Sequence, residues 1–402
     1  MRVVVVGGGL AAASAVDELR SNGHEGSIEV FCAEPHLPYE RPPLSKEVLL
    51  GSAEEERVFV HDKAWYDERD VTLHLDTPVT GLGLDRRQVV ADGRTADFDH
   101  LLLATGASPR RLAMADDSGA EVAYLRTLED NRRLREAFGS AGRIAIIGGG
   151  WIGLEVAAAA RNAGVDVTVV EMQDLPLLGV LGPEVARVFA DLHREHDVDL
   201  RLGVGVDAIE AGDGGASEVR LADGTSLPAD LVVVGIGVQP EVGLAREAGL
   251  AVGDGVLVDA RLRTSDPHVF AVGDIAGHDH PVLGRRIRVE HWDNAIHQAR
   301  AAARVMLGGD QPYHRLPYFF TDQYDLGMEY VGSVGPDGYD EVVLRGDVST
   351  RVFTALWLKS RRVVAAMHAN DWDQIDPIRG IVGREVDRDQ LADASVPLDE
   401  VS

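Results

Sequence analysis

The stretch RIAIIGGGWIGLEVAAAARNAGVDVTVVE, residues 143–171, decides the fold. It opens with an apolar run, residues 144–147, which is typical of a strand buried on both faces of a parallel sheet. The glycines that follow form G-x-G-x-x-G, and a second apolar run ends at Glu171. Between two strands, this spacing predicts a dinucleotide site. The glycines admit a pyrophosphate at a helix N-terminus, and the carboxylate accepts from ribose hydroxyls. A glycine-rich turn in an ordinary βαβ unit is the alternative, and the acid at the end of the second strand argues against it.

The N-terminus carries an earlier copy of the same pattern. Residues 3–6 are an apolar run, Gly7, Gly9 and Ala12 follow as G-x-G-x-x-A, and Glu34 takes the ribose-binding place. Two dinucleotide units in one chain are an internal repeat, and they predict two bound dinucleotides. That arrangement suits an enzyme that passes electrons between two cofactors.

Composition and charge exclude several classes of protein. The 402 residues suggest two or three domains, and no apolar run approaches the ~20 residues of a membrane span. The chain enters a strand at Val3 without a leader sequence, so we expect a cytoplasmic protein. A net charge of −27 disfavours nucleic acid and anionic membranes as partners. Cys32 is the single cysteine, which excludes an internal disulfide and a paired-cysteine metal site; no metal is predicted.

A proline-rich loop, PYERPPLSK at residues 38–46, ends at Lys46, one of three lysines in the chain. Its composition alone is typical of a surface turn. The segment resembles the flavin loop of NADH-dependent ferredoxin reductases of the putidaredoxin reductase and biphenyl dioxygenase reductase type. In that family the lysine sits beside the flavin ring. Disulfide reductases and NADH peroxidases keep redox cysteines in the corresponding region, and this chain has none there.

Further matches follow the family's order along the chain. Residues 71–79 resemble a strand whose backbone meets the adenine, and residues 101–106 resemble a strand that ends in an A-T-G turn. Residues 124–130 resemble a segment with a flavin-contacting arginine, and residues 269–274 resemble a second flavin fingerprint. The resemblance implies FAD contacts at Gly7, Gly9, Ala11, Ala12, Glu34, Arg41, Lys46, Val79, Thr105, Gly106, Arg126, Asp274 and Trp292.

The resemblance places NADH in the second nucleotide unit. Residues 172–175 contain no arginine, and Glu171 would repel a 2′-phosphate, so NADH is predicted over NADPH. In the family the acid that matches Glu155 pairs with the loop lysine, which implies catalytic roles for Lys46 and Glu155. A helix-dipole carboxylate is the alternative for Glu155. The implied NAD contacts are Gly148, Gly150, Ile152, Gly153, Glu171, Gly235, Ile236 and Gly237.

The predicted fold is α/β, with two Rossmann-like dinucleotide-binding domains of the glutathione-reductase-like type and a small α+β C-terminal domain. The acidic tail from Arg384 is predicted to be mobile. Short aromatic strands separated by turns predict the last domain's antiparallel sheet, at residues 317–324, 328–334, 341–345, 352–359 and 363–369. The predicted boundaries are 1–107 and 234–310 for the FAD-binding domain, 108–233 for the NAD-binding domain and 311–402 for the C-terminal domain.

The function that the resemblance implies is hydride transfer from NADH to FAD, followed by one-electron transfer to an iron–sulfur ferredoxin. The ferredoxin would serve a monooxygenase or a Rieske dioxygenase. Rubredoxin reductase or NADH oxidase is an alternative, and so is a redox-sensing interaction flavoprotein like apoptosis-inducing factor. Tyr318 and Phe320 stand where several family members have tryptophan, and their effect stays open, as does the choice between monomer and homodimer. A cationic docking patch for the ferredoxin is predicted at Arg285, Arg286, Arg300 and Arg304.

Overall fold

A computed structural model describes residues 1–212 and 217–402. The strands are β1 Val3–Val6, β2 Ile28–Phe31, β3 Val71–His74, β4 Val79–Gly83, β5 Gln88–Ala91, β6 Arg94–Asp97, β7 His100–Leu103, β8 Ala107–Pro109, β9 Val122–Ala123, β10 Arg143–Ile147, β11 Asp166–Glu171, β12 Asp199–Leu202, β13 Val206–Ala211, β14 Ser217–Leu221, β15 Ser226–Ala229, β16 Leu231–Val234, β17 Val238–Pro240, β18 Val252–Gly253, β19 Gly255–Val258, β20 Val269–Ala271, β21 Ala276–His280, β22 Arg285–Ile287, β23 Tyr318–Gln323, β24 Leu326–Gly332, β25 Glu341–Asp347, β26 Val352–Lys359 and β27 Arg362–Ala369.

The helices are α1 Leu10–Ser21, α2 Lys63–Asp67, α3 Ala113–Asp116, α4 Leu128–Phe138, α5 Trp151–Asn162, α6 Leu178–Glu195, α7 Gly243–Glu247, α8 Trp292–Met306, α9 Ile375–Ile381 and α10 Arg388–Ala392. Short 3₁₀ turns occur between them, for example at Pro42–Ser45 and Gly273–Ile275.

The first compact unit consists of Met1–Pro42, Glu55–Ser108 and Val238–Pro317. Its centre is a five-stranded parallel sheet in the order β20-β7-β1-β2-β3. The four valines of β1 are all buried, as a strand covered on both faces requires. Helices α1 and α8 pack together beside this sheet, and an antiparallel sheet, β4-β5-β6, precedes β7.

The second unit consists of Pro43–Glu54, Pro109–Gly237 and Tyr318–Ser402. Its parallel sheet has the order β12-β11-β10-β16-β9, and the antiparallel sheet β13-β14-β15 precedes β16. The C-terminal strands form a second antiparallel sheet, β23-β24-β27-β26-β25. Apolar residues of α5, α6 and this last sheet share one core, which includes Leu154, Phe189 and Trp357.

Helix α6 is interrupted near its start, and the interruption joins it to the C-terminal sheet. Gly182 has φ of +73°, a conformation that favours glycine, and Pro183 follows it. The break takes the carbonyl of Leu181 out of the regular helical pattern. The buried indole of Trp357, on β26, donates to that carbonyl at 3.1 Å, so the C-terminal sheet satisfies a backbone group of α6.

Two predictions about local structure are wrong. The strand predicted at residues 71–79 is two strands, β3 and β4, because Asp76 has φ of +49° and Pro78 cannot continue a ladder. Val79 therefore begins β4 instead of ending a strand. The tail from Arg384 is packed, not mobile: it contains α10 and buries four apolar side chains, those of Val386, Leu391, Leu398 and Val401.

No helix in residues 1–212 and 217–402 combines the length and apolar character that crossing a membrane requires.

Candidate functional site

The first nucleotide cradle lies where β1 meets α1. Gly7 has φ of +132°, and a Cβ at this position would collide with the carbonyl of Ala104. Gly9 is the N-cap of α1, and no atom of the described residues lies within 4 Å of the place its Cβ would take. A glycine cap has no side chain, so the first-turn N–H groups of α1 stay available to an anion. The cradle thus fits a dinucleotide pyrophosphate, with Ala11 and Ala12 on the first turn.

Glu34 follows β2, in the position predicted for a ribose-binding carboxylate. The hydroxyl of Tyr39 donates to its Oε2 at 2.5 Å, and Nη2 of Arg41 donates to its Oε1 at 3.1 Å. The carboxylate is thus oriented by two side chains of the proline-rich loop, yet 28% of it remains exposed. Each oxygen keeps a further lone pair with which to accept from a ribose hydroxyl.

The other predicted FAD residues of the first unit lie at the ends of its strands and at a helix start. Thr105 and Gly106 follow β7; the Thr105 hydroxyl donates to the carbonyl of Glu241 at 3.1 Å. Asp274 lies in the 3₁₀ turn after β20. Trp292 is the first residue of α8, and its indole N–H donates to Oε2 of Glu40 at 2.8 Å.

The second nucleotide cradle lies where β10 meets α5. Gly148 has φ of +107°, and a Cβ there would collide with the carbonyl of Gly235, which follows β16. A Cβ on Gly153 would collide with the carbonyl of Gly148, so this glycine lets α5 lie close to the strand. Gly150 is the N-cap of α5 and leaves the first-turn N–H groups to a ligand.

Glu171 ends β11, and backbone N–H groups hold it in place. The amide of Gly149 donates to its Oε2 at 2.7 Å, and the amide of Gln173 donates to its Oε1 at 2.9 Å. Three large apolar residues of the second unit, each next in sequence to a predicted nucleotide contact, are exposed: Ile152 by 41%, Ile236 by 37% and Met172 by 78%. Ile152 and Ile236 were predicted as nucleotide contacts from the sequence, whereas Met172, beside Glu171, was considered only for its lack of positive charge.

Gly237 and Arg126, the remaining predicted nucleotide residues of this unit, lie in loops. Gly237 has φ of +98°, and its carbonyl accepts from the N–H of Arg110 at 2.9 Å. The backbone N–H of Arg126 donates to Asp130 at 2.9 Å, immediately before α4. The capping box of Thr127 and Asp130 fixes this turn.

Lys46 and Glu155 form an ion pair inside the second unit. Nζ of Lys46 lies 2.8 Å from Oε1 of Glu155, and the two side chains are only 12% and 3% exposed. The ammonium also lies 5.5 Å from the ring centre of Phe320. The structure therefore brings together the two residues that the sequence analysis named as catalytic.

Two residues around this pair were missed by the sequence analysis. The hydroxyl of Ser45 donates to Oε2 of Glu155 at 2.5 Å, and the hydroxyl of Thr321 donates to Oε1 at 2.6 Å. Ser45 adjoins the loop lysine and could have been noticed. Thr321 lies 166 residues from Glu155 in sequence, and no local pattern connects the two.

A cavity of about 200 Å³ lies beside the ion pair. Burial raises the pKa of Asp322 on its wall. The cavity gives small molecules such as water a place next to a paired ammonium and carboxylate. Its lining includes Lys46, Glu155, Ala159, Asn162, Asp322 and Tyr324.

The arginines predicted to dock a ferredoxin lie in the first unit. Arg300 and Arg304 share a face of α8, where both approach Glu18 of α1: the Nε atoms lie 4.0 and 2.6 Å from its carboxylate. Their side chains remain 40% and 63% exposed. Arg285 and Arg286 lie on β22, and Nη1 of Arg286 donates to two backbone carbonyls.

Comparison with known proteins identifies the class to which this fold and these cradles belong. Residues 1–299 match the pyridine nucleotide-disulphide oxidoreductase family, and residues 318–402 match the reductase C-terminal family. The chain belongs to the pyridine nucleotide-disulphide oxidoreductase family. The predicted α/β fold class is confirmed, and family membership supports the predicted cofactors, FAD and NADH.

Particular relatives narrow the class to ferredoxin reductases. The 5,5'-dehydrodivanillate O-demethylase ferredoxin reductase subunit of Sphingobium sp. is 40% identical over 99% of this chain and 98% of its own. The ferredoxin–NAD(+) reductase component of the anthranilate 1,2-dioxygenase system of Burkholderia cepacia is 40% identical over 98% of each chain. A crystal structure of the covalent putidaredoxin reductase–putidaredoxin complex contains a chain 38% identical, with a TM-score of 0.94, over 99% of this chain and 97% of that one. The predicted resemblance is confirmed.

Proposed function

We propose that this protein is an FAD-dependent NADH:ferredoxin oxidoreductase. The observation that carries the proposal is the presence of two complete nucleotide cradles in one chain, at Gly7–Gly9 and at Gly148–Gly150, each followed by an oriented carboxylate. When bound, the flavin accepts a hydride from NADH and gives up its electrons singly, a chemistry that belongs to the cofactor. The protein contributes binding, orientation and electrostatics.

The first cradle would hold FAD and the second would hold NADH. Tyr39 and Arg41 hold the carboxylate of Glu34, which would bind the ribose of FAD, and two backbone amides hold that of Glu171, which would bind the ribose of NADH. Lys46 and Glu155 would serve the reductive step, since a desolvated ion pair with fixed geometry is a preorganised electrostatic element. The domain boundaries predicted from the sequence are part of the same proposal.

The proposed electron acceptor is an iron–sulfur ferredoxin that serves a monooxygenase or a Rieske dioxygenase. The names of the relatives support this choice, since they describe reductases of a demethylase and of a dioxygenase system. Docking at Arg285, Arg286, Arg300 and Arg304 remains our hypothesis. We also propose a cytoplasmic location, where NADH is available as the reductant.

Ferredoxin-dependent reduction of cytochrome c by NADH tests the function. We expect the purified protein with FAD to reduce cytochrome c rapidly only when ferredoxin is added, whereas ferricyanide should be reduced without a partner. Equal cytochrome c reduction with and without ferredoxin would contradict the proposal. Slow NADH oxidation with a persistent charge-transfer complex would instead indicate a redox sensor.

A further inference from the structure

A line of buried polar side chains continues from Glu155 into the C-terminal sheet. Oγ1 of Thr321 lies 2.6 Å from Oε1 of Glu155, and Nε2 of Gln323 lies 3.2 Å from that same Oγ1. Nε2 of His193, on α6, lies 2.9 Å from Oε1 of Gln323. Thr321, Gln323 and His193 are each at most 1% exposed, so solvent does not compete for these hydrogen bonds.

The direction of each hydrogen bond in this line follows from the chemistry of the groups. A carboxylate paired with an ammonium accepts only, so the hydroxyl proton of Thr321 points to Glu155. Since that hydroxyl has one proton, Gln323 must donate its amide to the Thr321 oxygen. The amide oxygen of Gln323 then accepts the Nε2 proton of His193. Burial lowers the pKa of His193 to about 4, so its ring is neutral at pH 7 and carries that proton on Nε2.

Every proton in the line is therefore donated toward Glu155. Lys46, Thr321 and Ser45 together give the carboxylate three donors, two on Oε1 and one on Oε2. The carboxylate consequently has one satisfied orientation, and a rotation about its terminal bond would break at least one charge-assisted hydrogen bond.

From this arrangement we infer that Thr321 and Gln323 are positioning residues for the Lys46–Glu155 pair. Thr321 holds the carboxylate directly, and Gln323 fixes the direction of the Thr321 hydroxyl. The inference rests on the proposed role of the ion pair in reduction by NADH. It assigns a task to β23 of the C-terminal sheet, which presents both residues on one face at positions two apart.

Substitution of the hydroxyl tests the inference. Thr321→Val keeps the volume and removes the donor, so we expect the limiting rate of flavin reduction in stopped flow to fall on the order of tenfold, the size of a hydrogen bond to a charged group. The NADH concentration that gives half that rate should change less than about twofold, because Thr321 is 1% exposed and its hydroxyl donates to Glu155. Thr321→Ser retains the hydroxyl and should restore the rate. Gln323→Met should have a smaller effect in the same direction.

The matched control is Thr354→Val, because Thr354 is a buried threonine of the same sheet on the distant strand β26. A readout independent of activity is the melting temperature. Thr321→Val should lower it in the wild-type background but much less in a Glu155→Leu background, where the carboxylate is gone. Wild-type reduction rates in Thr321→Val, or a rate loss that Thr321→Ser shares, would overturn the inference. If Thr321→Val fails to fold, Gln323→Met and Thr321→Ser decide the question.

Failure of the proposed function has a different signature. If NADH reduces the flavin of the Lys46→Ala variant at the wild-type rate, the proposed role of the ion pair in reduction is wrong. If Lys46→Ala is slow and Thr321→Val is not, only the positioning inference is wrong.

Discussion

The two units repeat one another well beyond their glycine fingerprints. In the first, β1 is flanked by β2 and β7, and the antiparallel sheet β4-β5-β6 precedes β7. In the second, β10 is flanked by β11 and β16, and the antiparallel sheet β13-β14-β15 precedes β16. The helices before the corresponding edge strands differ: α2, before β3, is five residues long, whereas α6, before β12, is 18 residues long. One topology therefore supports two different surroundings.

The two carboxylates that we propose as ribose ligands are held in different ways. Side chains of the proline-rich loop orient Glu34, whereas backbone N–H groups orient Glu171. The nucleotide helices also each bear a buried carboxylate. Glu18 of α1 pairs with arginines that remain exposed, but Glu155 of α5 pairs with an enclosed lysine. The repeated motif thus forms both proposed nucleotide cradles, whereas the flanking segments determine how the carboxylate on each helix is paired.

Removing the enclosed cation should give the largest effect. Lys46→Ala leaves Glu155 buried without its counter-ion, which costs about 3–5 kcal/mol when one partner of a buried pair is removed. We therefore expect flavin reduction by NADH to slow at least about 100-fold if the reaction needs the pair. FAD content, read from absorbance, should fall far less. Lys63→Ala is the control, since Lys63 makes an exposed pair with Asp67. Wild-type stopped-flow rates in Lys46→Ala would limit the pair to a structural role.

The two copies differ in the residue that the third position of the fingerprint can accommodate. Ala12 carries a Cβ in the first copy, whereas a Cβ on Gly153 would collide with the Gly148 carbonyl. In Gly153→Ala the added methyl group should cost about 3 kcal/mol in steric strain at the second cradle. If NADH binding bears that cost, NADH-dependent turnover should fall about 100-fold. FAD content should be retained, because the collision lies in the second unit. Ala12→Gly, the reciprocal control, should bind FAD nearly as wild type. Normal NADH use by Gly153→Ala would show that α5 can move away without loss.

Acid should destabilise both units over the same pH range. Burial lowers the pKa of His278, in the first unit, and of His193, in the second, to about 4. In the unfolded chain these histidines bind protons with a pKa of about 6.5. Their contribution to the free energy of unfolding is therefore complete above that pH and is lost as the pH falls toward 4. Each histidine contributes up to about 3 kcal/mol to this loss. Urea unfolding at pH 7 and pH 5 measures it. His278→Leu should lose less stability between these values than wild type; an equal loss would exclude His278 as a cause.

Much of this comparison could be predicted from the sequence, because the cradles are local. The glycines, the buried runs and the acids at Glu34 and Glu171 lie within short segments whose spacing is set by one βαβ unit. The donors to Glu155 could not be predicted, since Thr321 reaches it only through tertiary packing. The prediction of a mobile tail was wrong because it rested on the acidic composition and neglected four apolar residues that are buried in the second unit. The strand predicted at residues 71–79 was wrong because Asp76, next to the Thr77-Pro78 pair, adopts a positive φ and ends β3.

The choice of nucleotide sharpens the contrast between the two carboxylates. Glu171 is fixed by two amides and cannot easily turn away from a 2′-phosphate, which it would repel. We expect NADH to be preferred over NADPH at least tenfold in kcat/KM, about 1.4 kcal/mol. Glu171→Gln should reduce this preference, mainly by improving the use of NADPH, while Glu34→Gln should leave it unchanged. Comparable efficiency with both nucleotides in the wild type would contradict the assignment.

The smallest expected effect concerns Glu18 and its exposed arginines. Ferredoxins are usually acidic and this protein has a net charge of −27, so long-range repulsion should slow their encounter. At a Debye length of about 8 Å in physiological salt, however, docking depends on the local patch. Arg300 lies 4.0 Å from Glu18 and is 40% exposed, so it retains charge that an acidic partner can approach.

Arg300→Glu should therefore raise the ferredoxin concentration needed for half-maximal cytochrome c reduction by a few-fold, as a single exposed charge contact of about 0.2–1 kcal/mol allows. Reduction of ferricyanide by NADH should not change, because it needs no partner. Arg133→Glu is the matched control: Arg133 is also exposed and ion-paired, with Glu121, but lies in the second unit. An unchanged ferredoxin dependence in Arg300→Glu, or an equal change in Arg133→Glu, would place the docking surface elsewhere, and the pairing of α8 with α1 would then be purely structural.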